Sequence, residues 1–316
     1  MRRRLLLLPA VVLSVALGAA ACSDDGAGTR DTASGSGSGS GSGSASGSGS
    51  GSKSGSAISV NPSVTSSDPL VNEGAATYTQ YVRQQVDELV TATKTFTDAV
   101  RAGNIQAAKD AYATSRQAWE RIEPIAGLVE DIDASVDARV DDFANEDDPK
   151  WTGWHKLEYL LWVKNDISQA SGAPKLADQL DADIAKLKST MDTTTIPASA
   201  IPSGAADLIE EVSEGKLTGE EDRYSGTDLW DFAANVAGSK QAFEALKPAL
   251  QTKNPELVTK IEAGFADIQA QLQAYGEGSG YRPYSALTDA DKAKMKTTLA
   301  GLSENLAEVA GALGLQ

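Results

Sequence analysis

The chain contains a single histidine, His155, and three residues further on stands Glu158. On a helix that interval projects both side chains from one face, and imidazole is the commonest nitrogen ligand for transition metals. Glu120 and Glu123 repeat the interval earlier in the chain. Two such pairs on neighbouring antiparallel helices could converge on one cation, and the acidic stretch from Glu130 to Asp148 offers a further oxygen from Asp137, Asp141 or Asp142. One histidine excludes a histidine-rich zinc site within the chain, so any metal must be held mainly by carboxylates. That donor set suits iron, manganese or zinc better than copper(I), which prefers sulfur.

Iron sites inside helical bundles use Glu-x-x-His pairs facing glutamates from other helices; here the order is His-x-x-Glu. Trp119, Trp151, Trp154 and Trp162 all fall within a few residues of the two pairs. The acids therefore border apolar surface, where a carboxylate needs a partner or a cation to stay ionised. A solvated helix face accounts for such spacings as well, so the pairs alone leave both readings open. A second polar cluster, Glu210-Glu211 through Glu220-Glu221-Asp222-Arg223, leads into Thr227-Asp228-Leu229-Trp230-Asp231-Phe232. It could border a cleft or hold a second cation, while Arg223 could simply neutralise its acidic neighbours and Thr227 or Asp228 cap a helix.

The elements that must position these residues read as helices. Tyr78, Val82, Val86, Leu89, Phe96 and Val100 recur at steps of three, four or seven and mark one buried stripe. Gly103-Asn104 ends that helix. A second carries Ala107, Ala108, Tyr112, Trp119 and Ile122 and stops at Pro124; a third spans about 151–163, and Leu176, Leu180, Ile184 and Leu187 mark a fourth. The Thr-, Pro- and Ser-rich residues 190–204 read as a loop, followed by a short helix over 205–212 and a polar segment over 213–227. Long helices are expected over 228–250, 255–275 and 289–313, the last opened by a Thr288/Asp291 capping pair. No long β-alternating run occurs, so the fold class is all-α: antiparallel helical bundles, two packed four-helix-type units. Helix, Asn-marked turn, helix occurs twice, around Phe96 and Asn104 and around Phe243 and Asn254, a pattern that duplication or generic hairpins would both produce.

With 28 basic and 44 acidic residues the net charge is -16, which disfavours nucleic acid and anionic lipid headgroups as partners. The hydrophobic fraction of 41% suffices for a core. Residues 1–21 read as a signal peptide: Arg2-Arg3-Arg4, an apolar run from Leu5 to Leu17, then small residues up to Cys22. Cys22 is the only cysteine and follows the small residues directly, as in a lipobox, which makes it the expected lipidation site. Without residues 1–21 the body retains 25 basic against 44 acidic residues, about -19, and its methionines are Met191 and Met295, too few for a methionine-based copper site. Residues 22–66 form a lipid-anchored tether, nearly pure Gly-Ser from Ser34 to Ser56, with a root-mean-square span on the order of 25–30 Å. Residues 67–316 are the helical domain.

Three segments together carry a family resemblance: Trp119-Glu120-Arg121-Ile122-Glu123-Pro124, Trp151-Thr152-Gly153-Trp154-His155-Lys156-Leu157-Glu158, and Thr218-Gly219-Glu220-Glu221 with Thr227-Asp228-Leu229-Trp230-Asp231-Phe232. They resemble the imelysin-like domain of EfeO and EfeM proteins, over nearly the whole body from residue 76 onward. The resemblance implies a double helical bundle exported from bacteria, at the extracytoplasmic face of the membrane or in the periplasm, and serving a ferrous-iron uptake system. It implies iron (Fe2+ or Fe3+) as the bound ion, with zinc or manganese as alternatives. Its His-x-x-Glu motif falls on His155 and Glu158, with Glu120, Glu123 and Asp137 as companion ligands. The implied partners are a membrane ferrous-iron permease and a haem peroxidase of the same system. Longer members carry an N-terminal cupredoxin domain; this chain has the Gly-Ser tether in its place and reads as the short form of an actinobacterial surface protein.

Three functions compete: capture and delivery of iron without turnover, a metallopeptidase of the imelysin type, and a polysaccharide-binding module with tryptophans as stacking platforms. Thermolysin-like hydrolysis uses two histidines and a general-base glutamate on one helix, which one histidine cannot supply.

Overall fold

The computed structural model describes residues 66–315. The signal peptide, Cys22 and the tether up to residue 65 lie outside the described residues. Helix α1 (Pro69–Arg101) opens on Pro69, with the Asp68 carboxylate accepting from the Leu70 N–H. Its predicted stripe from Tyr78 to Val100 is fully buried. Asn104 caps α2 (Ile105–Ile122) by accepting from the Ala107 N–H at 3.1 Å. Asn254 caps α8 (Pro255–Gln273) through the Leu257 N–H at the same distance, so the two Asn-marked turns share one local device. The Thr288/Asp291 capping box starts α9 (Asp289–Leu313). Among the described residues no helix is long and apolar enough to cross a membrane.

Three expectations need correction. The acidic connection is not wholly irregular: Ile132 and Val136, one turn apart and both buried, fold 130–136 into α3 (Glu130–Val136). The third helix is shorter than 151–163, because α4 (Gly153–Tyr159) widens into a π-turn over 160–164 that ends on Asn165 at φ 49°. The loop over 190–204 shrinks to 194–199. Met191 continues the buried stripe of α5 (Ala173–Thr193), and Pro202 falls in the first turn of α6 (Ala200–Glu214), where a missing N–H leaves no hydrogen bond unmade. A two-residue hairpin, β1 (Gly276–Glu277) with β2 (Gly280–Tyr281), joins α8 to α9.

Helix α1 packs against α2, α5 and α7 (Asp228–Lys253), while α6, α7, α8 and α9 form a second four-helix group. Helix α7 is common to both, so the two bundles share one continuous core. Two glycines bring the chain close where the acidic segments meet. Gly153 sits at φ +81°, and a Cβ there would lie 2.1 Å from the Val136 carbonyl oxygen, so only glycine lets α4 start against the end of α3. Gly238 allows α7 to touch the Arg121 carbonyl, where a Cβ would again be 2.1 Å away.

Candidate metal centre

His155 lies in the first turn of α4 and Glu158 one turn on, and both are buried. Imidazole Nδ1 is 3.5 Å from Glu158 Oε2. The other oxygen, Glu158 Oε1, accepts from the backbone N–H groups of Tyr224 (3.0 Å) and Ser225 (2.6 Å). This ties α4 to the loop after α6. On the opposite edge of the ring, Nε2 stands 3.4 Å from Asp137 Oδ1. That is an ion-pair distance only, since Nε2 makes no hydrogen bond. Asp137 terminates α3 and is held by the Trp119 indole N–H at 2.9 Å and by the Arg116 guanidinium.

The loop after α6 contributes two further acids. Asp222 Oδ1 is 3.9 Å from His155 Nδ1 and accepts from the Tyr112 hydroxyl at 2.9 Å. Glu221 supplies an oxygen within 4.8 Å of donor atoms of both Asp137 and His155. A second group, Glu120, Glu221 and Asp231, meets the same spacing, so Glu221 belongs to both. His155 and Glu158 line a small pocket, room for about one water, whose walls include Arg139, Trp151, Glu221, Arg223 and Tyr224.

Of the residues expected from the sequence, Asp137 and Glu158 therefore both approach His155, but at opposite ring nitrogens and in two donor groups that share the imidazole. Glu120 points to the neighbouring group, where Arg116 Nη2 donates to it at 2.5 Å and Lys216 Nζ at 3.1 Å. Glu123 is in neither group: Lys216 and the Asn235 amide occupy its oxygens. Asp141 and Asp142 are exposed, and Asp141 pairs with Arg223, which answers this distant acid rather than its sequence neighbours. Trp230 packs on Tyr281, not on the acids.

Arg116, buried inside the acidic cluster, had a legible signal. It follows Tyr112 by four residues and precedes Trp119 by three, which places a base on the buried stripe of α2. Lys216 had none, because it stands in an irregular segment without periodicity.

Among the described residues six carboxylates are buried (Glu120, Glu158, Glu221, Asp222, Asp228 and Asp231) against two buried permanent cations, Arg116 and Lys216. That surplus shows in the titration of the groups. Burial lifts Asp231 well above the carboxylate range, with repulsion from Asp222 added. The same causes bring Asp228 to about 7. Burial also raises Glu158, against the pull of His155. Asp137 goes the other way: despite burial, Arg116 and then His155 hold it well below the usual range. Lys216 and Arg139 outweigh burial at Glu221 and hold it at about 2. Burial and Arg116 oppose charge on His155, but contacts with Asp137 and Glu158 prevail and raise its pKa to about 9.

The donors thus comprise one imidazole with an unpartnered nitrogen and several carboxylates with more negative charge than the protein's own cations offset. Such a set fits a hard or borderline cation with oxygen-rich coordination.

Comparison with known proteins agrees in family. The imelysin family model matches residues 74–311. The iron uptake system component EfeO of Escherichia coli O1:K1 / APEC is 47% identical over 252 residues, covering 79% of this chain and 66% of that protein. The EfeO proteins of Escherichia coli strain K12 and of Shigella flexneri are each 46% identical over the same coverage. The chain thus spans just under two thirds of the length of these relatives. On the match across nearly all of its described residues, the chain belongs to the imelysin family.

Proposed function

We propose that this protein is an extracytoplasmic iron-binding lipoprotein that captures iron and passes it to a membrane permease. The observation that carries the reading is the gathering of four acids around His155, Asp137 and Glu221 in one donor group and Glu158 and Asp222 in another, beside a small pocket. The similarity to EfeO proteins, which are named as iron uptake components, supports iron as the cargo. His155, Asp137 and Glu158 are the proposed ligands, with Asp137 and Glu221 serving an ion at the Nε2 edge of the ring, or Glu158 and Asp222 one at the Nδ1 edge. Glu120 and Glu123 stand behind them as charged support. Binding is reversible and without turnover: the ligands must shed protons to bind, and docking on the permease or acidification returns the ion. Zinc and manganese are competing cargoes of the same donors.

The leader and Cys22 support export and a lipid anchor, with the Gly-Ser stretch as the tether. A haem peroxidase of the same system is the second proposed partner. Hydrolysis is disfavoured because the single imidazole is already enclosed by acids, and no second histidine exists to complete a peptidase zinc site. Sugar stacking is disfavoured because Trp119, Trp151 and Trp154 are buried at 0–1% exposure. Anaerobic calorimetric titration with Fe2+, and titration with Fe3+, Zn2+ and Mn2+, should show tight binding that His155→Ala/Glu158→Ala abolishes. Binding unchanged in that variant would remove the basis of the proposal.

A further inference from the structure

Lys216 is a buried cation beside the histidine cluster rather than within it. It follows Gly215 at the end of α6 and is 1% exposed. Its ammonium lies 3.1 Å from Glu120 Oε2, 2.9 and 2.8 Å from the two oxygens of Glu123, and 3.1 Å from Glu221 Oε1. Three acids from two chain segments thus surround one nitrogen with four oxygens, more than its three N–H groups can satisfy singly. The Asn235 amide forms part of the same wall, donating to Glu120 and Glu123. Asp231, one turn before Asn235 on α7, carries a fully buried Oδ1 that accepts no hydrogen bond among the described residues. Donor atoms of Glu120, Glu221 and Asp231 lie within 4.8 Å of one another; Arg116 contacts all three, and Lys216 reaches Glu120 and Glu221.

A converging shell of carboxylate oxygens is what a hard cation requires. Here a covalently attached ammonium sits in it. We propose that Lys216 is a built-in cation filling a second carboxylate site, so that the protein takes one metal ion per chain while Glu221 stays poised toward His155. The inference rests on reading the histidine cluster as the first metal site. A lysine that only neutralises acids would leave metal stoichiometry unchanged when replaced. A lysine that blocks a site would release it. Metal–oxygen bonds of about 2.0–2.2 Å are shorter than these ammonium contacts, so the released pocket would draw Glu120, Glu123 and Glu221 inward around an ion. Arginine at the position would keep a positive charge in place.

The test is the metal stoichiometry of the whole chain, titrated with Mn2+ and, anaerobically, with Fe2+, with metal content measured after desalting. Wild type and Lys216→Arg should bind one ion, Lys216→Met two, and Lys216→Met/His155→Ala one. Lys216→Met should also melt at a higher temperature with Mn2+ than in chelator by a wider margin than wild type. A Lys216→Met protein that binds no more ions than wild type overturns the inference. So does a Lys216→Met protein that stays unfolded with and without Mn2+, because an ion able to occupy the pocket would replace the lost charge. Failure of the first site reads differently: wild type would bind none, while Lys216→Met and its His155→Ala double variant would each still gain one.

Discussion

Arg116 touches more of the acidic cluster than any other cation, and replacing it with methionine should make the fold depend on metal. Its guanidinium bonds Asp137 and Glu120, lies 3.2 Å from Asp231 Oδ2, and contacts Glu221 at 3.4 Å and Asp222 at 3.7 Å, all within a fully buried environment. It also packs 5.5 Å from the Trp154 ring centroid. Methionine keeps much of the volume and removes the charge. Breaking a buried pair by deleting one partner costs roughly 3–5 kcal/mol, and in a domain of this size each kcal/mol moves the melting temperature by about 2–4 °C. The Arg116→Met protein should therefore melt roughly 6–20 °C lower than wild type in chelator at pH 7. Saturating iron supplies the missing positive charge, and an ion at one hundred times its dissociation constant returns about 2.7 kcal/mol, so the iron-loaded variant should recover most of the gap to metal-free wild type.

The pH dependence has a definite sign. Asp137 is depressed in the folded state, so its pairing with Arg116 stabilises the protein above the carboxylate range and is lost as pH falls through that range. The difference between wild type and variant should shrink accordingly on acidification. The measurement is calorimetric or fluorescence melting in chelator and in excess Fe2+ under anaerobic conditions at pH 7, and in chelator at about pH 3, below the ordinary aspartate pKa. An Arg116→Met protein that melts within about 3 °C of wild type in chelator, or whose melting temperature saturating metal leaves unchanged, would refute the charge-balance account.

His155, with its pKa at about 9, is an imidazolium at neutral pH and must lose a proton to ligate. Titration at pH 7 in buffers of different ionisation enthalpy should show about one proton released by His155 per metal, and affinity should rise about tenfold per pH unit up to pH 9. In the metal-free protein the same raised pKa contributes stability that is full below about 6.5 and lost as pH rises through 9, so melting temperature should decline over that window in wild type and not in His155→Gln. Trp119→Phe removes the indole donor to Asp137 while keeping most of the packing. It should weaken metal binding by about 10–100-fold and lower the melting temperature by only a few degrees; equal affinity by titration would show that the indole does not orient Asp137. Gly153→Ala places a Cβ against the Val136 carbonyl, and should lower both stability and affinity by separating His155 from Asp137, read by melting and by titration.

What the sequence showed of this site, and what it hid, follows from where regular structure carries the donors. His155 and Glu158 share a helix, so their interval alone placed them on one face, and the apolar stripe of α1 was legible because every third or fourth residue is buried. Asp137 comes from the end of a seven-residue helix, and its approach to the imidazole depends on Gly153 letting two backbones touch, a tertiary fact that no local period records. Glu221 and Asp222 come from a loop with no period, and there one acid among many looks like any other. Glu120 and Glu123 lie on the predicted segment, yet the bases that claim them decide their direction, and one of those bases, Lys216, arrives from almost a hundred residues further along the chain. Spacing on one helix identifies which groups can act together. Which of several acids faces the ion is set by where the protein's own cations sit, and here those cations are buried in the same cluster.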